Sequence, residues 1–202
     1  MQNVLVHQRA RWGALLAHQR QYEGWWKAEF RLALESWCWR SDLPEPTRVR
    51  SEEKPRNHGV GASPKSVDLL ISQRSDDAGD MLPRPRVWVE IKERGTWWGN
   101  ARKALGESNR GLWSDLRKWQ GVSWARDDVV VACHILTHEA SPDKSVAIPP
   151  PWAAAFEEAA AEFPRYVPTL TVRYPCANSG SQKVVERYAS IDFFTIHRPP
   201  PG

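Results

Sequence analysis

Val87-Trp88-Val89-Glu90-Ile91-Lys92 alternates apolar and polar side chains around one carboxylate and one ammonium. Successive side chains of a strand point to opposite faces, so Val87, Val89 and Ile91 can pack inward while Trp88, Glu90 and Lys92 share the other face. Upstream, Val67-Asp68-Leu69-Leu70-Ile71 is an apolar run with a single acid near its start. The intervening Gln73–Arg86 contains Gly and Pro and can join the two runs as a hairpin, which would bring Asp68 close to Glu90. Two carboxylates are hard oxygen ligands suited to Mg²⁺, which keeps several waters and takes only one or two protein carboxylates. Such a cation lowers the pKa of a coordinated water and stabilises charge on a phosphate. Lys92 would orient that water and supply positive charge where the phosphorus centre becomes pentacovalent, and the carbonyl of Ile91 is available as a further ligand.

Asp68 followed by Glu90-Ile91-Lys92, after a long helix and before another, resembles the PD-(D/E)XK, or restriction-endonuclease-like, nuclease superfamily. The resemblance spans roughly Tyr22–Thr137 and consists of an order of elements plus a three-residue signature. Val67 stands where the named motif has Pro. The resemblance implies phosphodiester hydrolysis, chiefly of DNA, dependent on Mg²⁺ with Mn²⁺ able to substitute. It makes Asp68 and Glu90 metal ligands and puts Lys92 beside the attacking water. The triplet alone means little, since Glu52-Glu53-Lys54 also holds an acid two residues before a lysine; its place on the third strand, with an acid on the second, gives it weight.

The superfamily often adds an acid from its first helix. At about 100° per residue, Tyr22, Trp25, Trp26, Phe30, Leu32, Ala33 and Trp37 form an apolar face that contains Glu29, while Glu35 points away. A carboxylate within such a face is costly unless paired or near a metal, which makes Glu29 the expected helix acid and Glu23, on the border, its reserve.

These residues need a scaffold. The pattern predicts a helix over roughly Arg11–Trp39, interrupted near Gly24, then strands at Thr47–Glu52, Ser66–Ser72 and Arg86–Glu93. A helix at about Ala101–Trp119 precedes a strand at Asp128–Thr137. Pro150 and Pro151 open a third helix ending before Pro164, followed by strands at Thr169–Tyr174 and Val184–His197, the last bent or bulged. The order α-β-β-β-α-β, then α-β-β, implies an α/β or α+β fold with a central mixed sheet flanked by helices. One domain would span 1–198, with a Pro-rich tail at 199–202. Ser51–Ser66, Asp76–Arg86 and Ser141–Pro151 read as loops. On the second helix Leu105, Leu112, Leu116 and Trp119 share a side; Arg102, Lys103, Arg110, Arg117 and Lys118 lie broadly opposite, where they could meet a phosphate backbone.

The remaining features narrow the classes. The formal charge of +4 favours an anionic partner only mildly. Three distant cysteines, with no C-x-x-C spacing, argue against a disulfide framework or a cysteine-rich zinc site and fit a reducing cytoplasm. No apolar stretch is long enough to span a bilayer. The 12 Trp are expected mostly in the core. Trp97-Trp98 could stack on unpaired bases, or belong to the core. Cys133, His134 and His138 lack a complementary ligand pair for zinc. Gly59-Val60-Gly61-Ala62-Ser63 lacks the Gly-Lys-Ser/Thr end of a phosphate-binding loop, and no G-x-S-x-G elbow occurs. The expected partner is nucleic acid, cut by structure-directed recognition, as a homodimer, or within a larger defence or repair assembly. The competing expectation is a binding module that uses the same basic, Trp-rich surface without cutting.

Overall fold

Val, Ile and Leu crowd the runs around 67–71 and 87–91, and these runs pair as antiparallel strands at Leu69↔Val89, Leu70↔Trp88 and Ile71↔Val87. A computed structural model of the chain describes residues 23–40, 47–61, 65–73, 86–95, 112–140, 148, 150–166, 171–177 and 184–200. The elements are α1 (Glu23–Arg40), β1 (Thr47–Glu53), a 3₁₀ turn (Pro55–His58), β2 (Val67–Gln73), β3 (Val87–Gly95), α2 (Leu112–Gln120), β4 (Val129–Ala140), α3 (Pro150–Glu162), β5 (Arg165–Tyr166), β6 (Thr171–Ala177) and β7 (Val184–His197). Seven strands form one sheet in the order β1-β2-β3-β4-β7-β5, with β6 also paired to β7. β3 and β4 run parallel, whereas every other pair is antiparallel. The fold is α+β with a mixed sheet.

Helices cover both faces of this sheet. Trp26 and Phe30 of α1 pack on Val49, Leu69, Val89, Ile91, Cys133, Ile135 and Ile191. On the other face, Leu116 of α2 and Trp152, Phe156 and Ala159 of α3 meet Ala132, Leu136 and Phe194. Trp119 of α2 closes the same face over Leu70, Trp88 and Val130. The alternation along β3 is therefore the one its sequence dictates: Val89 and Ile91 lie under α1, and Trp88 lies under α2.

The strand starting at Val129 is anchored by a buried ion pair. Asp128, 1% exposed, accepts from Arg86 Nε at 2.8 Å, from Arg86 Nη2 at 3.1 Å and from Trp88 Nε1 at 3.1 Å. Arg86 Nη1 donates to the carbonyl of His58 at 2.9 Å, tying the 3₁₀ turn to the same point. That turn closes on Gly59, whose φ of 70° suits a residue without Cβ.

Most predicted elements recur within a few residues. Residues 11–22 and 101–111, the outer parts of two predicted helices, lie outside the described residues, and Gly24 sits inside the described part of α1. Three readings need correction. Ser51–Ser66 is not all loop, because β1 runs on to Glu53 and the 3₁₀ turn follows. Pro150 and Pro151, also read as the end of a loop, open α3 as the helix prediction had it. The two-residue strand β5 was not expected; it is too short to carry a period. β7 has the anticipated bulge: Val130 pairs with His197 and Val131 with Thr195, leaving Ile196 as the extra residue.

Candidate functional site

The site begins where the β2–β3 ladder stops. In an antiparallel ladder alternate residues exchange both backbone bonds, so after Leu69↔Val89 the next N–H and C=O of β3 on the β2 side belong to Ile91. That N–H donates instead to Asp68 Oδ2 at 2.7 Å. Continuing the register by one residue puts Asp68 across from Glu90. On the other side of β2, Glu52 lies opposite Asp68, between Ser51↔Leu69 and Glu53↔Val67, and has φ 54°. A left-handed conformation costs a residue with a Cβ about 1–2 kcal/mol.

Each acid of the motif is met by a lysine from a helix. Lys27 Nζ, on α1, lies 2.6 Å from Asp68 Oδ1 and 3.3 Å from Glu23 Oε1. Lys118 Nζ, on α2, lies 3.2 Å from Glu90 Oε1 and 3.9 Å from the centroid of the Trp119 ring. Lys92 Nζ lies 3.2 Å from Glu23 Oε2 and 3.6 Å from Asp115 Oδ2. With Glu52 Oε1 at 3.9 Å from Lys27, the N-terminal turns of α1, the end of β1, the start of β2, the middle of β3 and α2 converge on five carboxylates and three ammoniums. Asp68, Glu90 and Asp115 are buried, and Glu90 Oε2 has no hydrogen-bond partner.

Crowding of like charges away from water sets the electrostatics. Burial, then repulsion from Asp68 and Asp115, pushes the Glu90 carboxyl up to about 7 although Lys118 pulls the other way. Burial also raises Asp68, outweighing Lys27 and the Ile91 N–H. For Glu23, burial works upward, but Lys92 and Lys27 prevail and hold its carboxyl below the usual range.

A divalent cation fits this chemistry. It would satisfy the partnerless oxygen of Glu90 and relieve the Asp68–Glu90 repulsion. The oxygens open to such a cation would be those of Asp68, Glu90 and the Ile91 carbonyl, and two carboxylates fall within Mg²⁺'s habit of taking one or two. Among the described residues no group of three or more His, Cys, Asp and Glu side chains is arranged to hold a metal.

The predicted residues fare differently. Asp68, Glu90 and Lys92 are brought into one neighbourhood. Glu29 is buried, yet the helix acid that meets Lys92 is Glu23. At about 100° per residue, Glu29 sits roughly 200° around the helix from Lys27, at the opposite edge of the buried arc. Lys118, expected on an outward basic face, turns inward to Glu90, whereas Arg117 remains exposed over Trp113. Arg102, Lys103, Arg110, Trp97 and Trp98 lie outside the described residues. Lys27 and Asp115 escaped the sequence reading; Lys27 carried a usable signal, being one turn after Glu23 on the helix edge.

Cys133 and His134 face opposite sides of the sheet, Cys133 toward α1 and His134 edge-on to Phe156 of α3 at 5.1 Å. His134 is fully buried, with neither ring nitrogen hydrogen-bonded. Burial, with Arg94 and Lys92 nearby, lowers its pKa to about 3. Between pH 6.5 and that value the unfolded chain takes up a proton that the folded chain refuses, so this residue's contribution to stability falls as pH falls. Relative to His134→Phe, the native protein should lose roughly 1.5 kcal/mol between pH 6.5 and 5 in urea titrations. Equal losses in both proteins would refute a buried neutral imidazole.

No helix among the described residues is long and apolar enough to cross a membrane. A comparison with known proteins finds no matching family model, no matching curated protein and no matching solved structure.

Proposed function

We propose that the chain is a Mg²⁺-dependent nuclease, acting chiefly on DNA in the cytoplasm, and that its core is a version of the restriction-endonuclease-like fold. The observation that carries this reading is the juxtaposition of two buried carboxylates, Asp68 and Glu90, at the point where β2 and β3 part, with Lys92 beside them. Asp68, Glu90 and the carbonyl of Ile91 would hold the cation. When bound, it supplies an acidified water and offsets charge on the phosphate. Lys92, held by Glu23 and Asp115, orients the attacking water and stabilises the negative charge that builds on the non-bridging oxygens. The overlying apolar core of Trp88, Trp119 and Leu70 limits water around Glu90. Cutting is directed by nucleic-acid structure, or by a second copy or a larger defence or repair assembly.

One observation favours a second reading: lysines already neutralise both acids. The protein would then be a nucleic-acid or protein binding module without catalysis. Plasmid, linear and single-stranded DNA and RNA, each incubated with Mg²⁺, Mn²⁺ or EDTA, separate the two. Cleavage that needs metal and disappears in Glu90→Ala and Lys92→Ala is the expected result. Cleavage that persists in both variants would refute this site.

The site also predicts a pH dependence. Glu90 binds a cation as the carboxylate, and its carboxyl sits at about 7. Below that pH protons compete with metal, so at sub-saturating Mg²⁺ the cleavage rate should fall up to about tenfold per pH unit. Raising Mg²⁺ should move this acid limb to lower pH. A limb indifferent to Mg²⁺ would place the titrating group elsewhere.

A further inference from the structure

The ammonium of Lys27 lies 2.6 Å from Asp68 Oδ1, and that of Lys118 lies 3.2 Å from Glu90 Oε1. Both approach the acids as a ligated cation would, and both arrive on flexible stems from separate helices. Each also has somewhere to go: Lys27 has Glu23 at 3.3 Å, and Lys118 lies over the Trp119 ring. The formal charges are suggestive. Glu23, Glu52, Asp68, Glu90 and Asp115 against Lys27, Lys92 and Lys118 leave two negative charges. A single divalent cation cancels both, which removes the electrostatic need for two of the ammoniums at the acids.

We propose that Lys27 and Lys118 stand in for the divalent cation in the free protein, that the cation displaces them, and that the displaced ammoniums then bind the phosphate of the substrate. The proposal rests on the metal-dependent reading above. At Asp68 a cation must take the oxygen that Lys27 holds, because Oδ2 accepts the Ile91 N–H, and at Glu90 an ion on the partnerless Oε2 lies beside the ammonium on Oε1, so both lysines weaken metal binding. By the reciprocity of linked equilibria, a phosphate group that holds the lysines strengthens it. A lysine removed from the site therefore helps the metal and harms the substrate. A structural ion pair would not produce those opposite signs.

The measurement is Mn²⁺ binding followed by loss of the free-ion paramagnetic resonance signal, on the full chain without nucleic acid. Lys27→Met and Lys118→Met should bind Mn²⁺ about tenfold or more tightly than the native protein, since each deletes one positive charge beside the ion. At saturating Mn²⁺ both should cleave at least about tenfold more slowly. Arg126→Met, at an exposed position, should leave binding unchanged. Should a lysine variant fail to fold, the native protein decides. Amine labelling read by mass spectrometry should rise severalfold at Lys27 and Lys118 on adding Mg²⁺, and stay constant at Lys65. Labelling that does not change would overturn the proposal. So would variants that bind Mn²⁺ no better than native while Asp68→Asn abolishes binding; the metal site would then stand and the lysine exchange would fall. Absence of Mn²⁺ binding in every form would remove the metal site and this proposal with it.

Discussion

Lys92→Ala is expected to slow metal-dependent cleavage by about 10²–10³-fold, the loss typical when one preorganised donor to developing charge is deleted. The ammonium is neither free nor fully buried: Glu23 holds it at 3.2 Å, Asp115 stands at 3.6 Å, and its side chain is 18% exposed. The pair with Glu23 is partly solvated and contributes little to stability, and Asp115 lies beyond hydrogen-bond reach of the ammonium. The variant should therefore melt within a few degrees of the native protein while losing nearly all activity. Steady-state rates at saturating Mg²⁺ together with a thermal melt check both halves. A rate within tenfold of native would remove Lys92 from the reaction. A collapse of the melting temperature would recast it as a structural residue.

The largest effect on stability is expected from Asp128→Ala, at about 3–5 kcal/mol, because truncation leaves a buried charge without its partner. Arg86, half of this pair, is 17% exposed along its side chain, and Asp128 only 1%. The same carboxylate satisfies Trp88 Nε1, whose ring is fully buried, so the substitution also orphans that donor. For a chain of this size the loss corresponds to roughly 10–15 °C in melting temperature. Adding Arg86→Met to Asp128→Ala should recover part of it, since the uncompensated guanidinium is gone. A loss below 1 kcal/mol in the single variant would contradict the observed burial. Neither residue contacts Asp68, Glu90 or Lys92, so the folded fraction of Asp128→Ala should retain metal-dependent cleavage.

The strand signal was legible in the sequence because its period is local. Val89 and Ile91 on one side and Trp88 and Glu90 on the other follow from alternation alone, and the lone acid among Leu69, Leu70 and Ile71 marks itself. The helix acid was harder. An angular plot identifies Glu29 as an acid inside the apolar arc, and it is buried. The plot cannot say which edge of that arc crosses β3, and Glu23 and Lys27 are on the edge that does. Lys118 shows a related failing. Its neighbour Trp119 faces the core as the wheel predicts, but a wheel treats each side chain as a point. A four-carbon stem can lie along a Trp ring and deliver its charge a residue's width away. Glu52, too, gives no warning of its positive φ, which arises only where β1 passes the interrupted ladder beside Asp68.

The parallel pairing of β3 with β4 bears on how activity is acquired. Parallel neighbours cannot be joined by a tight turn, and the connection between these two carries α2. Asp115 and Lys118 therefore reach Glu90 and Lys92 only after a long stretch of chain has closed back on the sheet, a slow, non-local step in refolding. A refolding intermediate holding just α1 and the β1–β2–β3 meander would have Asp68 hydrogen-bonded and paired with Lys27, and Glu90 open to water without Lys118 and Asp115. In stopped-flow refolding, recovery of cleavage should accordingly trail the burial of Trp26, and coincide with the burial of Trp119.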